Sequence, residues 1–266
     1  MKSAILRAVF GQQGCRVRVE WGGEGVSALG GECAVLVVVD VLSFTTAVDV
    51  VVGRDASVRP VVWGERDSAE GSRWALRPSA LLEVPPGEEV VLASPNGATL
   101  CALAGATGAV VLAGCLRNAG AVAAAAVELA GGGPIGVVPA GERWGVDLTS
   151  GTPASAGPLR PCAEDLLGAG AVVAGLVRAL AGEGDLPPDG LLSVEARLAA
   201  TAWAGADVAA ALRGCGSGRE LIAAGRAADV ELAALVGAST SAPRLVDGVL
   251  RAHSPGRVPD QRPESA

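Results

Sequence analysis

The feature that most constrains the fold is a run of apolar, mostly β-branched residues that ends in a single carboxylate. Residues 33–41 read Cys-Ala-Val-Leu-Val-Val-Val-Asp-Val and are bounded by Gly31 and a polar cluster. A short apolar run of this kind is typical of a strand buried on both faces. Residues 44–52 are predicted to form the following helix, with Ser43 or Thr45 as its cap. The two segments together predict a strand-then-helix unit.

The same alternation continues over the first 144 residues. Further strands are predicted over residues 16–21, 58–63, 89–93, 109–113 and 135–139. The helices between them are predicted over residues 66–76, up to about 104, and 119–130. Strand-then-helix units of short period predict an α/β fold with three layers, in which a mostly parallel sheet carries helices on both faces.

The remainder of the chain is predicted to be mainly helical. A loop rich in Gly, Pro, Ser and Thr is expected over residues 145–160. Helices are expected over residues 163–180, 194–212, 219–224, 228–236 and 244–251. Residues 1–253 are therefore predicted to form a single domain, rich in sheet over 1–144 and helical over 160–253, and residues 254–266 to form a disordered tail.

Composition excludes several classes of function. One histidine, His253, and one lysine, Lys2, argue against His-dependent triads, multi-histidine metal sites and a phosphate loop ending in Gly-Lys-Ser/Thr. A net charge of −7 disfavours a general nucleic-acid binder. Six cysteines without a C-x-x-C pair, behind an N-terminus that does not resemble a signal peptide, predict reduced thiols in a cytoplasmic protein. The uncharged stretch over residues 94–116 is broken by Pro95 and glycines, so no membrane span is expected.

Polar side chains follow the predicted strands. Asp40, Glu65, Ser94, Asn96, Asn118, Glu142 and Arg143 all stand where a strand ends. Ligands of parallel sheets bind beyond these carboxyl ends, so we expect the residues to converge. Glu164 and Asp165 open a later helix, and such oxygen ligands suit Mg²⁺. Taken singly, each cluster also has an ordinary structural interpretation as a helix cap, a turn, a solvated loop or a favourable helix-dipole charge.

At these residues the chain resembles the 2-phosphosulfolactate phosphatase family, Mg²⁺-dependent phosphohydrolases of coenzyme M biosynthesis. The resemblance spans roughly residues 35–245. It rests on Val39-Asp40-Val41-Leu42 with Thr45-Thr46, Ser94-Pro95-Asn96-Gly97, Asn118-Ala119, Ala140-Gly141-Glu142-Arg143, Glu164-Asp165-Leu166 and Ser217-Gly218-Arg219-Glu220-Leu221. It implies a three-layer α/β fold, Mg²⁺ and hydrolysis of a phosphate ester on a small acidic molecule. Ser43-Phe44 stand where the family commonly has an Arg.

The resulting hypothesis is a Mg²⁺-dependent phosphatase that acts on a small phosphorylated organic acid. Asp40, Glu142 and Asp165 are the predicted catalytic residues, and with Glu164 the predicted metal ligands. Contacts to phosphate or substrate are expected from Thr45, Thr46, Ser94, Asn96, Gly97, Asn118, Arg143, Ser217 and Arg219. Attack by an activated water and attack by Asp40 through an aspartyl-phosphate both remain open. The alternatives are an inactive binding homologue and a Mg²⁺-dependent lyase or aldolase. An apolar surface with few aromatic residues is compatible with an interface for a homodimer.

Overall fold

The computed structural model of the chain describes residues 9–62, 73–145, 157–181 and 188–254. The strands are β1 (Val17–Val19), β2 (Val35–Val39), β3 (Ser57–Val62), β4 (Glu89–Ser94), β5 (Val110–Gly114), β6 (Ile135–Pro139), β7 (Glu142–Arg143), β8 (Leu159–Arg160), β9 (Pro243–Val246) and β10 (Val249–Ala252). The helices are α1 (Gly22–Leu29), α2 (Phe44–Val52), α3 (Gly97–Gly105), α4 (Ala119–Ala130), α5 (Ala163–Ala181), α6 (Val194–Ala204), α7 (Val208–Gly214), α8 (Gly216–Ala223) and α9 (Ala227–Ala233).

Eight of the strands form one mixed sheet in the order β1-β6-β2-β5-β9-β10-β3-β4. The strands β1, β6, β2 and β5 run parallel to one another, as do β3 and β4. The hairpin β9–β10 joins these two groups with antiparallel pairing, so β3 and β4 run opposite to β2. The expected α/β fold with a largely parallel sheet is confirmed. A separate two-stranded ladder joins β7 to β8.

One hydrophobic core surrounds helix α2, and all nine residues of this helix are buried. The core combines Leu36 and Val38 of β2 with Val58 of β3 and with Val90 and Leu92 of β4. Strands that are far apart in the sheet order therefore pack on the same helix, which requires the sheet to curl around α2. The curl carries the carboxyl end of β4 towards that of β2, even though the two strands run in opposite directions.

The second core lies on the other face of the sheet, beneath α4 and α5. Here α5 approaches β2 so closely that a Cβ on Gly168 would lie 2.6 Å from Cγ2 of Val41 and 2.8 Å from Cγ1 of Val39. The absence of a side chain at Gly168 thus sets the helix against the strand. Because Glu164 and Asp165 lie one turn earlier in α5, this packing also places them beside the end of β2.

The predicted helix over residues 244–251 is wrong, because these residues form most of the hairpin β9–β10. Asp247 and Gly248 have φ values of 51° and 75° at the turn between the two strands. Two consecutive left-handed residues of sequence Asp-Gly are the signature of a tight two-residue hairpin turn. The Asp-Gly dipeptide between two apolar pairs was the sequence signal for this hairpin, and it outweighs the helical spacing.

Other predicted boundaries also change. The helix predicted over residues 194–212 is two helices, because Gly205 ends α6 and the Asp207 carboxylate caps α7 by accepting from the amide of Ala210 at 3.1 Å. Most of the helix predicted over residues 66–76 lies outside the described residues, and its described part, 73–76, is not helical. Glu65 and nearly all of the predicted tail also lie outside them. In the part of the chain that is described, no helix has the length and apolarity needed to cross a membrane.

Candidate active site

Asp40 stands directly after β2, where two helices begin. Its Oδ2 accepts a hydrogen bond from the amide of Gly97 at 2.8 Å, and its Oδ1 accepts one from the amide of Phe44 at 3.3 Å. Burial raises the pKa of the Asp40 carboxyl to about 6, against the two amide hydrogen bonds, which lower it. The charges of Glu142 and Glu164 raise it further. Three acidic side chains from distant parts of the sequence are therefore close enough to repel one another.

Asp165 connects three segments of the site. Its Oδ1 accepts from the amide of Val41 and its Oδ2 from the amide of Gly141, each at 2.8 Å. These bonds tie the start of α5 to the loops that follow β2 and β6. Burial raises the pKa of Asp165 well above its usual value, and the charges of Asp40 and Glu164 add to the shift.

The segment Ser94–Gly97 forms a tight turn at the start of α3. The Ser94 hydroxyl accepts from the amides of Asn96 at 3.2 Å and Gly97 at 3.1 Å. A Cβ on Gly97 would lie 2.5 Å from Cδ1 of Phe44 and 2.6 Å from Oδ2 of Asp40. Only a glycine allows the backbone to approach Asp40 this closely. The Asn96 side-chain amide donates to Oε1 of Glu142 at 3.0 Å, which joins this turn to the ladder β7–β8.

Glu142 and Glu164 complete a group of four buried carboxylates. Glu142 is 7% exposed, and its Oε1 accepts from the Asn96 side chain and from the amide of Arg143 at 2.7 Å. Glu164 is 3% exposed and lies near the Cys215 thiol, whose pKa is raised by burial and then by the charge of Glu164. With Asp40 and Asp165, these side chains concentrate negative charge in a region of low dielectric, where a cation is the natural counterion.

Arg160 lies beside the carboxylates although sequence reasoning did not select it. It pairs with Glu142 across the ladder β7–β8. Its guanidinium lies over the indole of Trp144, 5.6 Å from the ring centroid, and its Nη1 is 3.3 Å from where a Cβ of Gly216 would stand. The sequence predicted a loop over residues 145–160, and a ladder of two residues on each strand is too short to give a periodic signal.

Three predicted site residues form hydrogen bonds between their side chains and the backbone of the loops around the site. The Thr45 hydroxyl bonds the amide and carbonyl of Asp40 at 3.0 and 2.8 Å, and the Thr46 hydroxyl donates to the carbonyl of Val41 at 2.8 Å. Asn118 is fully buried, and its side chain bonds the backbone of Cys115 at 2.8 Å and Ala113 at 3.3 Å. These three side chains shape the loops after β2 and β5.

The remaining predicted residues lie at the margin. The Nη1 of Arg143 donates to the carbonyl of Gly157 at 3.4 Å, and Arg219 is exposed on α8. Ser217 is buried in the first turn of α8, near the Cys215 thiol that contacts Glu164. The start of α8 thus lies beside the carboxylates, whereas the Arg219 side chain is on the outside.

The carboxylate group has the chemistry of a site for a hard divalent cation. Its ligands are all oxygens, and Mg²⁺ commonly takes one or two carboxylates, with waters and phosphate oxygens filling its other positions. Within the described ranges, no three His, Cys, Asp or Glu side chains are arranged to hold a metal among themselves. The donor set therefore fits an ion that also takes ligands from water and substrate, and does not form a cage made of protein alone.

A comparison with models of protein families identifies the family of this chain. The family model of 2-phosphosulpholactate phosphatase matches residues 54–248. The chain belongs to this family. The match covers Ser94–Gly97, Glu142, Glu164 and Asp165 of the site and begins after Asp40. A search of curated proteins finds no match to the chain.

The family membership gives the geometry a chemical context. Members of a 2-phosphosulpholactate phosphatase family are phosphatases, and their substrates are phosphorylated small molecules. In this 2-phosphosulpholactate phosphatase family member, the matched carboxylates meet Asp40 at the N-termini of α2 and α3. Helix N-termini favour anions, so the same region brings together a potential cation site and a potential phosphate site.

Proposed function

We propose that this protein is a Mg²⁺-dependent phosphatase that hydrolyses the phosphate ester of a small organic acid resembling 2-phosphosulfolactate. The single observation that supports this most strongly is the group of four buried carboxylates, in which Asp40 accepts from the amide of Gly97, in a chain of this family. Anionic substrates would be repelled by such a group without a cation. Mg²⁺ would supply the neutralising charge between the carboxylates and the phosphate.

The free oxygen atoms indicate which carboxylates would hold Mg²⁺. Both oxygens of Asp165 and both of Asp40 accept backbone amides. In the described part of the chain, Oε2 of Glu142 accepts no hydrogen bond, and no N–H group is bonded to the Glu164 carboxylate. Glu142 and Glu164 would therefore contact the cation most directly, with Asp40 beside them, and Asp165 would hold the three loops in place.

The phosphate would lie at the turn before α3. The Ser94 hydroxyl accepts two amide hydrogens and donates to no described residue, so its hydrogen is available for a phosphate oxygen. Asn96 uses one amide hydrogen on Glu142 and has a second to offer. The Gly97 amide is bonded to Asp40 and keeps that carboxylate aligned. Asp40, as the nucleophile or as the base for an attacking water, would stand closest to this turn.

The state of the cysteines supports a proposal about the compartment in which the protein works. All six cysteines are free thiols, which supports a reducing compartment, and we expect a cytoplasmic enzyme. The partner would be a small phosphorylated acid and not a nucleic acid. A homodimer of the chain is compatible with the proposed phosphatase function.

Phosphate release from a panel of phosphomonoesters, with Mg²⁺ and with a chelator, tests the proposal. We expect release that requires Mg²⁺ and that Asp40→Asn lowers at least a hundredfold. Asp55→Asn is the matched control, since Asp55 is an exposed carboxylate outside the site, and its variant should keep full activity. Stabilisation by these esters without any release would refute the enzyme and favour a binding protein. Cleavage to products other than phosphate would favour a lyase.

A further inference from the structure

Arg160 carries a positive charge that none of the described acidic residues pairs. The ion pairs of the described residues join three other arginines and His253 to acids, and the Arg160 guanidinium takes part in no hydrogen bond among these residues. The residue is half-buried and stands opposite Glu142 in the ladder β7–β8, at the edge of the group of buried carboxylates. A guanidinium in such a place would normally bind one of them in a two-pronged pair.

The neighbours of Arg160 explain why it stays unpaired. The indole of Trp144 lies on one side of the guanidinium and the first turn of α8, at Gly216, lies close to its Nη1. Stacking on an indole holds a guanidinium flat without using its N–H groups. Meanwhile Oε1 of Glu142, the residue opposite Arg160 in the ladder, is occupied by two other donors. The N–H groups of Arg160 are therefore oriented and available.

The other arginines near the site are less suited to bind a ligand. Arg143 uses Nη1 on the carbonyl of Gly157, and Arg219 is exposed on α8. Arg160 stands on β8, a different element from the turn expected to hold phosphate. Glu142 contacts Asn96 of that turn through its side chain and faces Arg160 through its backbone pairing. The two groups thus flank Glu142 from different elements.

We propose that Arg160 is the specificity-determining residue that binds the second acid group of the substrate, a carboxylate or a sulfonate. The inference rests on the proposed function, with phosphate at Ser94–Gly97 and the acid group at Arg160. A planar guanidinium matches two oxygens of such an acid, so the site selects phosphorylated acids over neutral phosphomonoesters.

Kinetics on two substrates test this assignment. For 2-phosphoglycolate, Arg160→Ala is expected to raise KM by about tenfold to a hundredfold, the loss typical of a hydrogen bond between charged groups, with little change in kcat. For phenyl phosphate, which lacks a second acid, KM should stay unchanged. Arg160→Lys should recover only part of the loss, and Arg197→Ala, at an exposed arginine of α6, should leave both substrates unaffected. Equal losses on both substrates, or no loss on either, would overturn the assignment.

A binding experiment separates this inference from the proposed function. In the presence of Mg²⁺, sulfoacetate and inorganic phosphate should each raise the melting temperature of the wild-type protein. Arg160→Ala should abolish the rise with sulfoacetate and keep the rise with phosphate. If the protein hydrolyses no ester but shows this pattern, the proposed function fails and the role of Arg160 stands. An unchanged response of Arg160→Ala to sulfoacetate refutes the role of Arg160 whether or not the protein is an enzyme.

Discussion

Replacing Gly97 by alanine tests the close approach that aligns Asp40. The added Cβ would lie 2.5 Å from Cδ1 of Phe44, 2.6 Å from Oδ2 of Asp40 and 2.8 Å from Cβ of Phe44. Ordinary separations between such atoms are about 3.5 Å, so the neighbours must move by about 1 Å. Phe44 is fully buried and cannot turn away, and the Asp40 carboxylate is bonded to the Gly97 amide itself. The carboxylate and the turn must therefore separate.

The expected cost is that of overpacking, about 1–3 kcal/mol. Gly120→Ala is the matched control, because Gly120 is near the start of α4 and a Cβ there meets no atom within 4 Å. That change should stabilise the protein by about 0.5–1 kcal/mol, since alanine favours the helix over glycine. The two variants should therefore differ by about 1.5–4 kcal/mol in the free energy of unfolding, measured by urea denaturation. Gly97→Ala should also lose phosphatase activity, whereas Gly120→Ala keeps it. Equal stability of the two variants would refute the geometry derived for this turn.

Three further changes probe the site and the fold. Mg²⁺ at a hundred times its Kd should raise the free energy of unfolding by about 2.7 kcal/mol, and a thermal scan that is identical with and without a chelator would contradict this. Arg117→Met leaves the buried carboxylate of Asp49, 2.8 Å from the Arg117 Nε, without its cation and should cost about 3–5 kcal/mol in urea denaturation. Adding Asp49→Asn should restore part of that loss, and an additive result would argue against the pair. Gly248→Ala places a side chain at a φ of 75° and should cost about 1–2 kcal/mol, whereas Gly214→Ala, in open space, should not.

The sequence predicted most of the strand-and-helix order of the first 144 residues, because buried strands and alanine-rich helices differ in length and residue type. It did not predict helix α1, which begins with Gly22-Gly23-Glu24-Gly25, a composition that favours loops. The segments Phe44–Val52, Ala119–Ala130 and Ile135–Pro139 form as expected. The hairpin β9–β10 was missed because its spacing of apolar residues also suits a helix. Its insertion between β5 and β3 reverses part of the sheet, and no local pattern encodes such a long-range pairing.

The convergence of the acidic residues was predicted for a partly incorrect reason. For Asp40 and Glu142 the rule of carboxyl ends in a parallel sheet holds, since β2 and β6 are parallel neighbours. For Ser94 it does not, because β4 runs opposite to β2 and its end reaches Asp40 through the curl of the sheet around α2. Arg160 could not be found at all, since its position depends on a short ladder and on Trp144, which are contacts of tertiary structure only.

The division of work among the carboxylates can be tested by comparing Asp165→Asn with Glu164→Gln. Each variant replaces one acid of the same buried group by the amide of nearly equal size, so the two changes are alike in volume. Asp165→Asn also loses an acceptor, because an amide group cannot accept from both Val41 and Gly141 and leaves one buried N–H facing another. An unsatisfied buried donor costs about 1–3 kcal/mol. Without Mg²⁺, Asp165→Asn should therefore be less stable than Glu164→Gln by about that amount in urea denaturation.

Glu164→Gln should instead lose most of the stabilisation by Mg²⁺. If the two variants are equally stable and respond equally to Mg²⁺, then Asp165 does not hold the loops and the cation does not depend on Glu164.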